Sequence, residues 1–209
     1  MADLFTLSAP ELAALLCSRV CHDIISPVGA INNGLELLDE GGADEDAMNL
    51  IRTSARNASA RLQFARIAFG AAGSAGMLID TGDAESVATA FLANEKPSFE
   101  WNGKRALMPK NKVKLLLNLI LVAIAAIPRG GKITVDIADA ETAPKFTLTS
   151  AGPMVRVPPK FLELHSGHKP DEPIDAHSVQ PYYTLLLARE AGMTISIRAG
   201  AEDIVLSAV

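Results

Sequence analysis

Apolar residues recur every three or four positions through residues 12–38, which is the spacing of one face of an α-helix. Ser8 and Glu11 are spaced as a capping box, and Pro10 lies in the first turn, where proline is tolerated. The pattern therefore predicts a long first helix that begins after Ser8 and ends at glycines 41–42. Its apolar stripe comprises Leu12, Leu16, Val20, Ile24, Val28, Ile31, Leu35 and Leu38.

A second helical pattern follows, with apolar steps that alternate between three and four residues, as in a heptad seam. Its members are Met48, Ile51, Ala55, Ala58, Leu62, Ala65 and Phe69. An isolated helical hairpin has no partner that could bury both stripes fully. We therefore expect a homodimer in which two hairpins form a four-helix bundle. The alternative is a hairpin that packs on its own C-terminal domain.

The glycine-rich segment 70–76 divides the chain, so we predict domains at 1–75 and 76–209. In the second domain, short strand-like runs, which are either apolar or alternate between apolar and polar residues, are interspersed with helical patterns. We predict strands at 77–80, 98–101, 132–136, 145–149, 195–198 and 203–207, and helices at 84–95, 110–127 and 182–190. This order indicates an α+β protein whose C-terminal domain is an α/β sandwich, one sheet with helices on one face.

Composition narrows the function classes. The 209 residues carry 19 Lys and Arg against 24 Asp and Glu, a net charge of −5. We expect no nucleic-acid partner, because that needs a basic surface. The longest apolar run, 115–127, is too short to span a bilayer, so we expect no membrane span, and no basic signal region opens the chain. Two cysteines, Cys17 and Cys21, make no disulfide framework, which favours the cytoplasm.

One histidine lies on the polar side of the first helix. At about 100° per residue, the apolar stripe centres at about 95° and His22 falls at about 280°. Its neighbours on that face are small or polar, namely Ser18, Ser26, Gly29 and Asn33, and Asp23 follows it directly. The simplest interpretation of this position alone is a surface histidine without a role.

The local string changes that interpretation. In Cys21-His22-Asp23-Ile24-Ile25-Ser26-Pro27-Val28, four positions resemble the H-box of sensor histidine kinases. A neutral imidazole is a nucleophile near neutral pH, and it can accept a phosphoryl group. The adjacent carboxylate of Asp23 can orient the ring or take its proton. Pro27 removes one helical hydrogen bond close to His22.

The second domain resembles a Bergerat-type ATPase domain of histidine kinases that has lost its nucleotide site. The segment 118–124 resembles the N-box, but Val122 replaces the second asparagine and offers no oxygen to Mg²⁺. In the adenine-reading motif, Ser150 replaces the acid and Met154 replaces a glycine. Segment 179–183 holds no glycine where a phosphate loop is expected. The resemblance therefore implies a domain that does not bind ATP.

Taken together, these features resemble the ChpT family of histidine phosphotransferases of alphaproteobacteria, over essentially the whole chain. The resemblance implies that His22 carries the phosphoryl group, with Asp23 and Ser26 in support. It also implies relay from the receiver domain of a CckA-like hybrid kinase to CtrA-like and CpdR-like response regulators. We expect the receiver to dock on Ser18, Arg19, Ile25, Gly29 and Asn33. We expect no cofactor or metal of the chain's own, because the receiver brings Mg²⁺.

Two other functions stay open at this point. The chain could be a divergent ATP-dependent histidine kinase, for which stable ATP binding would be the sign. It could also be a non-catalytic dimeric scaffold in which His22 is idle. The loop 165–177, with His165, His168 and His177, lies where a kinase has its ATP lid, and its role is open.

Overall fold

The N-terminal region is a helical hairpin. The structure is a computed structural model that describes residues 5–40, 44–70, 77–168 and 172–209. Helix α1 spans Ala9–Asp39, and helix α2 spans Asp44–Ala68. The predicted capping box is present, because the Ser8 hydroxyl accepts from the backbone N–H of Glu11 and the Glu11 carboxylate accepts from that of Ser8. The predicted turn at 41–42 and domain boundary at 75–76 lie outside the described residues.

The two helices approach most closely at Gly34. A Cβ at this position would lie 2.6 Å from Ile51 Cγ1 and 3.2 Å from the carbonyl oxygen of Ala47. Glycine is therefore required by packing at this point of the hairpin. Pro27 and Gly34 are the only residues of α1 that are buried within the single chain. The apolar stripe of α1 is thus only partly covered by α2.

The C-terminal domain contains two sheets and four helices within the described residues. Its helices are α3 (Thr81–Leu92), α4 (Lys110–Ala126), α5 (Pro159–His165) and α6 (Val179–Ala191). Its strands are β1 (Leu78–Asp80), β2 (Ser98–Asn102), β3 (Leu107–Pro109), β4 (Lys132–Ala138), β5 (Lys145–Ala151), β6 (Ile195–Ala199) and β7 (Asp203–Ala208). Strands β1 and β3 form an antiparallel pair. The main sheet has the order β2-β4-β5-β7-β6 and is antiparallel except for β2 and β4.

The core lies between the main sheet and helix α4. Alternate residues of β4, β5 and β7 are buried, so one face of the sheet is covered. Val135, Leu148 and Leu206 are paired across these three strands and contribute to that face. Helix α4 is buried over most of its length. The predicted α/β sandwich is therefore confirmed, with an N-terminal helical hairpin attached to it.

Two short elements were not predicted from the sequence. Strand β3 has three residues and ends in Pro109. It is therefore too short for an alternating pattern, and its last residue has no backbone N–H to donate. Helix α5 has seven residues and begins after Pro158 without a side-chain cap. Both are too short to show a period, and their pairing or packing comes from the tertiary fold.

The end of α2 connects the hairpin to the C-terminal core. Phe64, Ile67 and Ala68 are buried in the same hydrophobic cluster as the residues of α3 and α4. The side-chain amide of Asn118 in α4 donates to the Ala68 carbonyl at 3.0 Å. The two regions therefore share one core, and the position of α1 is fixed relative to the C-terminal domain through α2.

Helix α1 is the one helix of the described residues with the length and hydropathy to cross a membrane. The expectation of no membrane span rested on segment 115–127 and overlooked this 31-residue helix. Length and hydropathy alone are weak evidence of a membrane span, because core helices of soluble proteins and signal sequences also have them. A bilayer would also have to accommodate the Arg19 and Asp23 side chains in the middle of the helix.

Candidate functional site

His22 lies near the middle of α1 with 64% of its side chain exposed. Ser18 and Ser26, one turn before and one turn after it, are also exposed. The face predicted from the helical period is therefore the face that the structure leaves open. Nothing on α1 itself prevents a partner protein from reaching the imidazole ring.

Asp23 connects His22 to a second charged residue. Nδ1 of His22 lies 3.4 Å from Oδ1 of Asp23, and Nε of Arg19 donates to the other carboxylate oxygen at 2.9 Å. When Nδ1 carries the imidazole proton, its N–H faces a carboxylate, and the lone pair of Nε2 points away from that contact. This is the tautomer in which Nε2 can act as a nucleophile.

Pro27 is buried inside α1 and has no backbone N–H. In a regular helix that N–H would bond to the carbonyl of Asp23, four residues earlier. The structure nevertheless keeps α1 as one continuous helix through this position. The carbonyl that loses its helical hydrogen bond therefore belongs to Asp23, the residue that contacts His22.

Most of the predicted docking residues are accessible. Ile25 is 73% exposed, and Ser18 and Asn33 are exposed too. A Cβ added at Gly29 would meet nothing within 4 Å, so the surface is open there. Arg19 differs from the others, because its side chain is only 27% exposed and forms an ion pair with Asp23.

The structure adds a residue that was not assigned to the site from the sequence. The ring of His177, just before α6, makes an edge-to-face contact with the ring of His22, with centroids 5.3 Å apart and planes at 80°. Oδ1 of Asp175 accepts from the backbone N–H groups of His177 and Ser178 at 3.0 and 2.7 Å. Hydrogen bonds, above all from the Ser178 hydroxyl, lower the pKa of Asp175.

A sequence signal for part of this arrangement exists. Asp at 175 followed by Ser at 178 is typical of a side-chain-stabilised turn before a helix. No local pattern, however, indicates that the turn lies against α1. That contact depends on how the two domains pack.

A cavity of about 440 Å³ lies between the hairpin and the C-terminal domain, beside His177. Arg19 and Asp23 line it from α1, while Val122 and Gln180 line it from the other side. Its basic residues are engaged in ion pairs, such as Arg61 with Glu95 at 2.6 Å. The cavity therefore presents mainly apolar surface and neutralised charges.

The positions that resemble nucleotide-binding motifs make internal hydrogen bonds. Asn118 is fully buried and donates to the carbonyls of Ala68 and Lys114. The Gln180 amide donates to the Asn118 carbonyl at 3.0 Å and to the Thr184 hydroxyl at 2.9 Å. The buried Ser150 hydroxyl donates to a carbonyl of α4. These groups stabilise the domain and are already paired.

Within the described ranges, no group of three or more His, Cys, Asp or Glu side chains is arranged to hold a metal ion. His165 donates from Nε2 to the carbonyl of Ile195 at 2.9 Å. The predicted loop 165–177 therefore begins one residue too early, because His165 is the last residue of α5 and is bonded to strand β6, whereas His177 contacts His22.

Comparisons with known proteins agree with this architecture. A family model described as the histidine phosphotransferase C-terminal domain matches residues 81–203. The protein phosphotransferase ChpT of Brucella abortus (strain 2308) is 74% identical over 203 residues, which is 97% of both chains. A solved bacterial phosphotransferase structure, 72% identical, superposes with a TM-score of 0.93 and covers 98% of both chains.

The fold and these relatives define a protein phosphotransferase and not an ATP-dependent kinase. More particularly, the chain belongs to the histidine phosphotransferase family.

Proposed function

We propose that the protein relays a phosphoryl group through His22. The donor is the receiver domain of a CckA-like hybrid histidine kinase, and the acceptors are CtrA-like and CpdR-like response regulators. The observation that carries the proposal is the exposed imidazole of His22, 64% accessible, beside the carboxylate of Asp23 and on a face of small side chains. Membership of the histidine phosphotransferase family supports the same chemistry.

The reacting group that this chain contributes to the transfer step is the imidazole of His22. The Nε2 lone pair of His22 attacks the phosphorus of the receiver's aspartyl phosphate, and the bond from phosphorus to the aspartate oxygen breaks. The aspartate carboxylate leaves with that electron pair, while the His22 ring keeps its proton on Nδ1. The positive charge on the phosphorylated ring then faces the Asp23 carboxylate, 3.4 Å away. Transfer onward to a second receiver is the reverse reaction.

Positioning and charge stabilisation dominate phosphoryl transfer, so the docking surface matters as much as the nucleophile. The receiver supplies its own aspartate and Mg²⁺. We assign its docking site to the exposed face of α1, where Ile25 offers an apolar contact and Gly29 offers space. Ser18 and Asn33 extend this face, and Ser26 supports the reaction next to His22.

The test is to mix the full chain with a receiver domain that carries a radiolabelled phosphoryl group. We expect acid-labile label on the wild-type chain and none on the His22→Gln variant. The matched control is His168→Gln, which removes an exposed histidine three residues after the end of α5 and should keep full labelling. Full relay by the His22→Gln variant would contradict the proposal and favour a scaffold in which His22 is idle.

We also propose that the active form is a homodimer built through the hairpin. Within the predicted apolar stripes of the hairpin, Val28, Leu35 and Leu62 are 42–49% exposed in the single chain. Apolar surface of this extent on two adjacent helices is typical of a protein interface. A second copy would cover both stripes symmetrically in a four-helix bundle.

Charge at the centre of this surface should split the dimer. Leu62→Lys places an unpaired charge in the proposed interface, which costs several kcal/mol when buried. Light scattering should give a mass near twice 22 kDa for the wild-type chain and near 22 kDa for the variant. Leu162→Lys, at a comparably exposed site on α5, should stay dimeric. A monomeric wild-type chain at micromolar concentration would overturn the proposal.

The proposed compartment is the cytoplasm, where receiver domains and their kinases would meet this chain. The two cysteines, Cys17 and Cys21, are exposed and unpaired, as is usual in a reducing compartment. Cell fractionation should recover the protein with the soluble proteins, and recovery with the membranes would contradict this assignment.

A further inference from the structure

We propose that His177 is a positioning residue for phosphoryl transfer, because its ring holds the imidazole of His22 in the rotamer that presents Nε2 to the receiver. The inference rests on the proposed function and deepens it. It gives the C-terminal domain a direct part in the reaction, through one side chain that contacts the nucleophile.

The need for such a residue follows from the exposure of His22. On α1, the ring has one polar neighbour, the Asp23 carboxylate at 3.4 Å, which is a long contact for a hydrogen bond. A side chain that is 64% exposed and so loosely held exchanges between staggered rotamers. The edge-to-face contact with His177, at 5.3 Å between centroids, is a second restraint, and it comes from another domain.

His177 can provide that restraint because its own backbone is fixed. The Asp175 carboxylate accepts the backbone N–H groups of His177 and Ser178 and also the Ser178 hydroxyl, at 2.6–3.0 Å. Immediately afterwards, Gln180 is buried and hydrogen-bonded to the backbone of α4. The turn that carries His177 is therefore anchored on both sides.

The same anchoring extends back to the hairpin. Helix α4 is bonded to the end of α2 through Asn118 and Ala68, and the backbone N–H of Leu7, just before α1, donates to the Tyr182 hydroxyl of α6. The helix that carries His22 and the turn that carries His177 thus belong to one connected framework. Their contact is a consequence of the domain arrangement, and a change in that arrangement would release the His22 ring.

The size of the effect can be estimated from rotamer counting. Within a helix the χ1 well near +60° is rarely occupied, so a free histidine there has about two χ1 wells and about two orientations at χ2, and losing the restraint can reduce the productive fraction up to about fourfold. Because transfer needs the attacking and leaving atoms in line, the rate should fall by the same factor. The restraint does not create the nucleophile, so the final extent of labelling should stay the same.

The test compares His177→Ala with His177→Phe in the full chain, using a saturating phosphorylated receiver domain and rapid quenching. We expect His177→Ala to slow transfer about two- to fourfold, with the same final labelling and with the receiver Kd within twofold of wild type. His177→Phe keeps a planar ring at the contact and should restore most of the rate. His168→Ala serves as the control and should not change the rate.

A second measurement reports on the ring directly. In the wild-type chain, the three-bond couplings between Cγ of His22 and its backbone nitrogen and carbonyl carbon should indicate one χ1 rotamer. In His177→Ala they should become averaged, and in His177→Phe they should return toward the wild-type values.

The outcomes separate the two proposals. If the wild-type chain is labelled on His22, and His177→Ala matches it in rate and couplings, His177 has no positioning role. If His177→Phe is as slow as His177→Ala, the ring contact is not the cause, and the inference is also wrong. If the wild-type chain takes no label at all, the proposed function itself fails.

Discussion

Two regions of this protein resemble parts of a histidine kinase, and they differ in physical character. The face around His22 is exposed, and the polar contact of the imidazole with Asp23 is long, at 3.4 Å. The region around Asn118, where nucleotide ligands would be expected, is buried and fully hydrogen-bonded. The comparison indicates that the exposed region is available for chemistry with a partner, whereas the buried region is part of the framework.

The difference has consequences for substitution. At an exposed site, a side chain with few internal partners can be replaced with little effect on folding, but its chemistry is lost. At a buried and paired site, replacement leaves other polar groups without partners, which is costly. The two regions should therefore respond in opposite ways to substitution.

The largest expected change in stability is at Asn118. Asn118→Leu removes the donor to the Ala68 carbonyl and leaves buried polar groups unsatisfied, so the free energy of unfolding should fall by about 2–3 kcal/mol. His22→Gln should change it by less than about 0.5 kcal/mol, because the site is exposed. Urea denaturation measures both. Equal effects would show that the regions do not differ as described.

A smaller effect is expected at Gly29, in the exposed region. Gly29→Trp fills the open surface one to two turns from His22 and should weaken receiver binding about tenfold, which is about 1.4 kcal/mol. Titration calorimetry with the receiver domain measures this effect. The label should still reach His22 at high receiver concentration, because the nucleophile is intact.

Glycine substitutions also provide a matched control. Gly29→Ala meets no atom within 4 Å, so it should bind the receiver normally and gain about 0.5–1 kcal/mol of stability from helix propensity. Gly34→Ala would bring its Cβ against Ile51 and should destabilise the hairpin instead. A loss of receiver binding in Gly29→Ala would mean that the surface is not open in the complex.

These cases also indicate how far sequence reasoning could go. The face of His22 was predictable, because the phase of a long, capped helix is set by its own sequence. Helix α4 and strand β4 were predictable for the same reason. The contact with His177 was not predictable, since it joins residues far apart in the chain and depends on the packing of α6 against α4 and of α4 against α2. Short elements such as β3 have too few residues to show a hydrophobic period.

The buried region should also show a pH effect at Tyr183, in the first half of α6, where a phosphate loop would be expected. Burial, and then the nearby Glu190 charge, raise the pKa of Tyr183 to about 12. Below pH 10 the folded and unfolded chains both hold this proton. Between pH 10 and about 12 the unfolded chain loses it first, so stability falls as the pH rises.

Tyr183→Phe should remove that part of the pH dependence. Urea denaturation at pH 9 and pH 11 should show a larger loss of stability for the wild-type chain than for the variant. The comparable substitution Tyr182→Phe removes a hydroxyl that accepts from Leu7 and serves as the control. An identical pH dependence in wild type and Tyr183→Phe would mean that the Tyr183 phenol is accessible to solvent.

The smallest expected effect is that of ATP, which should leave the thermal stability of the protein unchanged. A nucleotide that bound with a Kd of about 0.1 mM would stabilise the fold by about 1.4 kcal/mol at 1 mM, a rise in Tm of about 3–6 °C. We expect no rise with Mg-ATP and no self-labelling. Val122 offers no oxygen to Mg²⁺, and the Asn118 and Gln180 amides are already paired inside the domain.

A Mg²⁺-dependent rise in Tm would contradict the prediction that the domain has no nucleotide site. The variant Val122→Asn makes the test sharper: because the first turn of α6 holds no glycine and Ser150 replaces the acid, restoring one side chain should still give no rise in Tm.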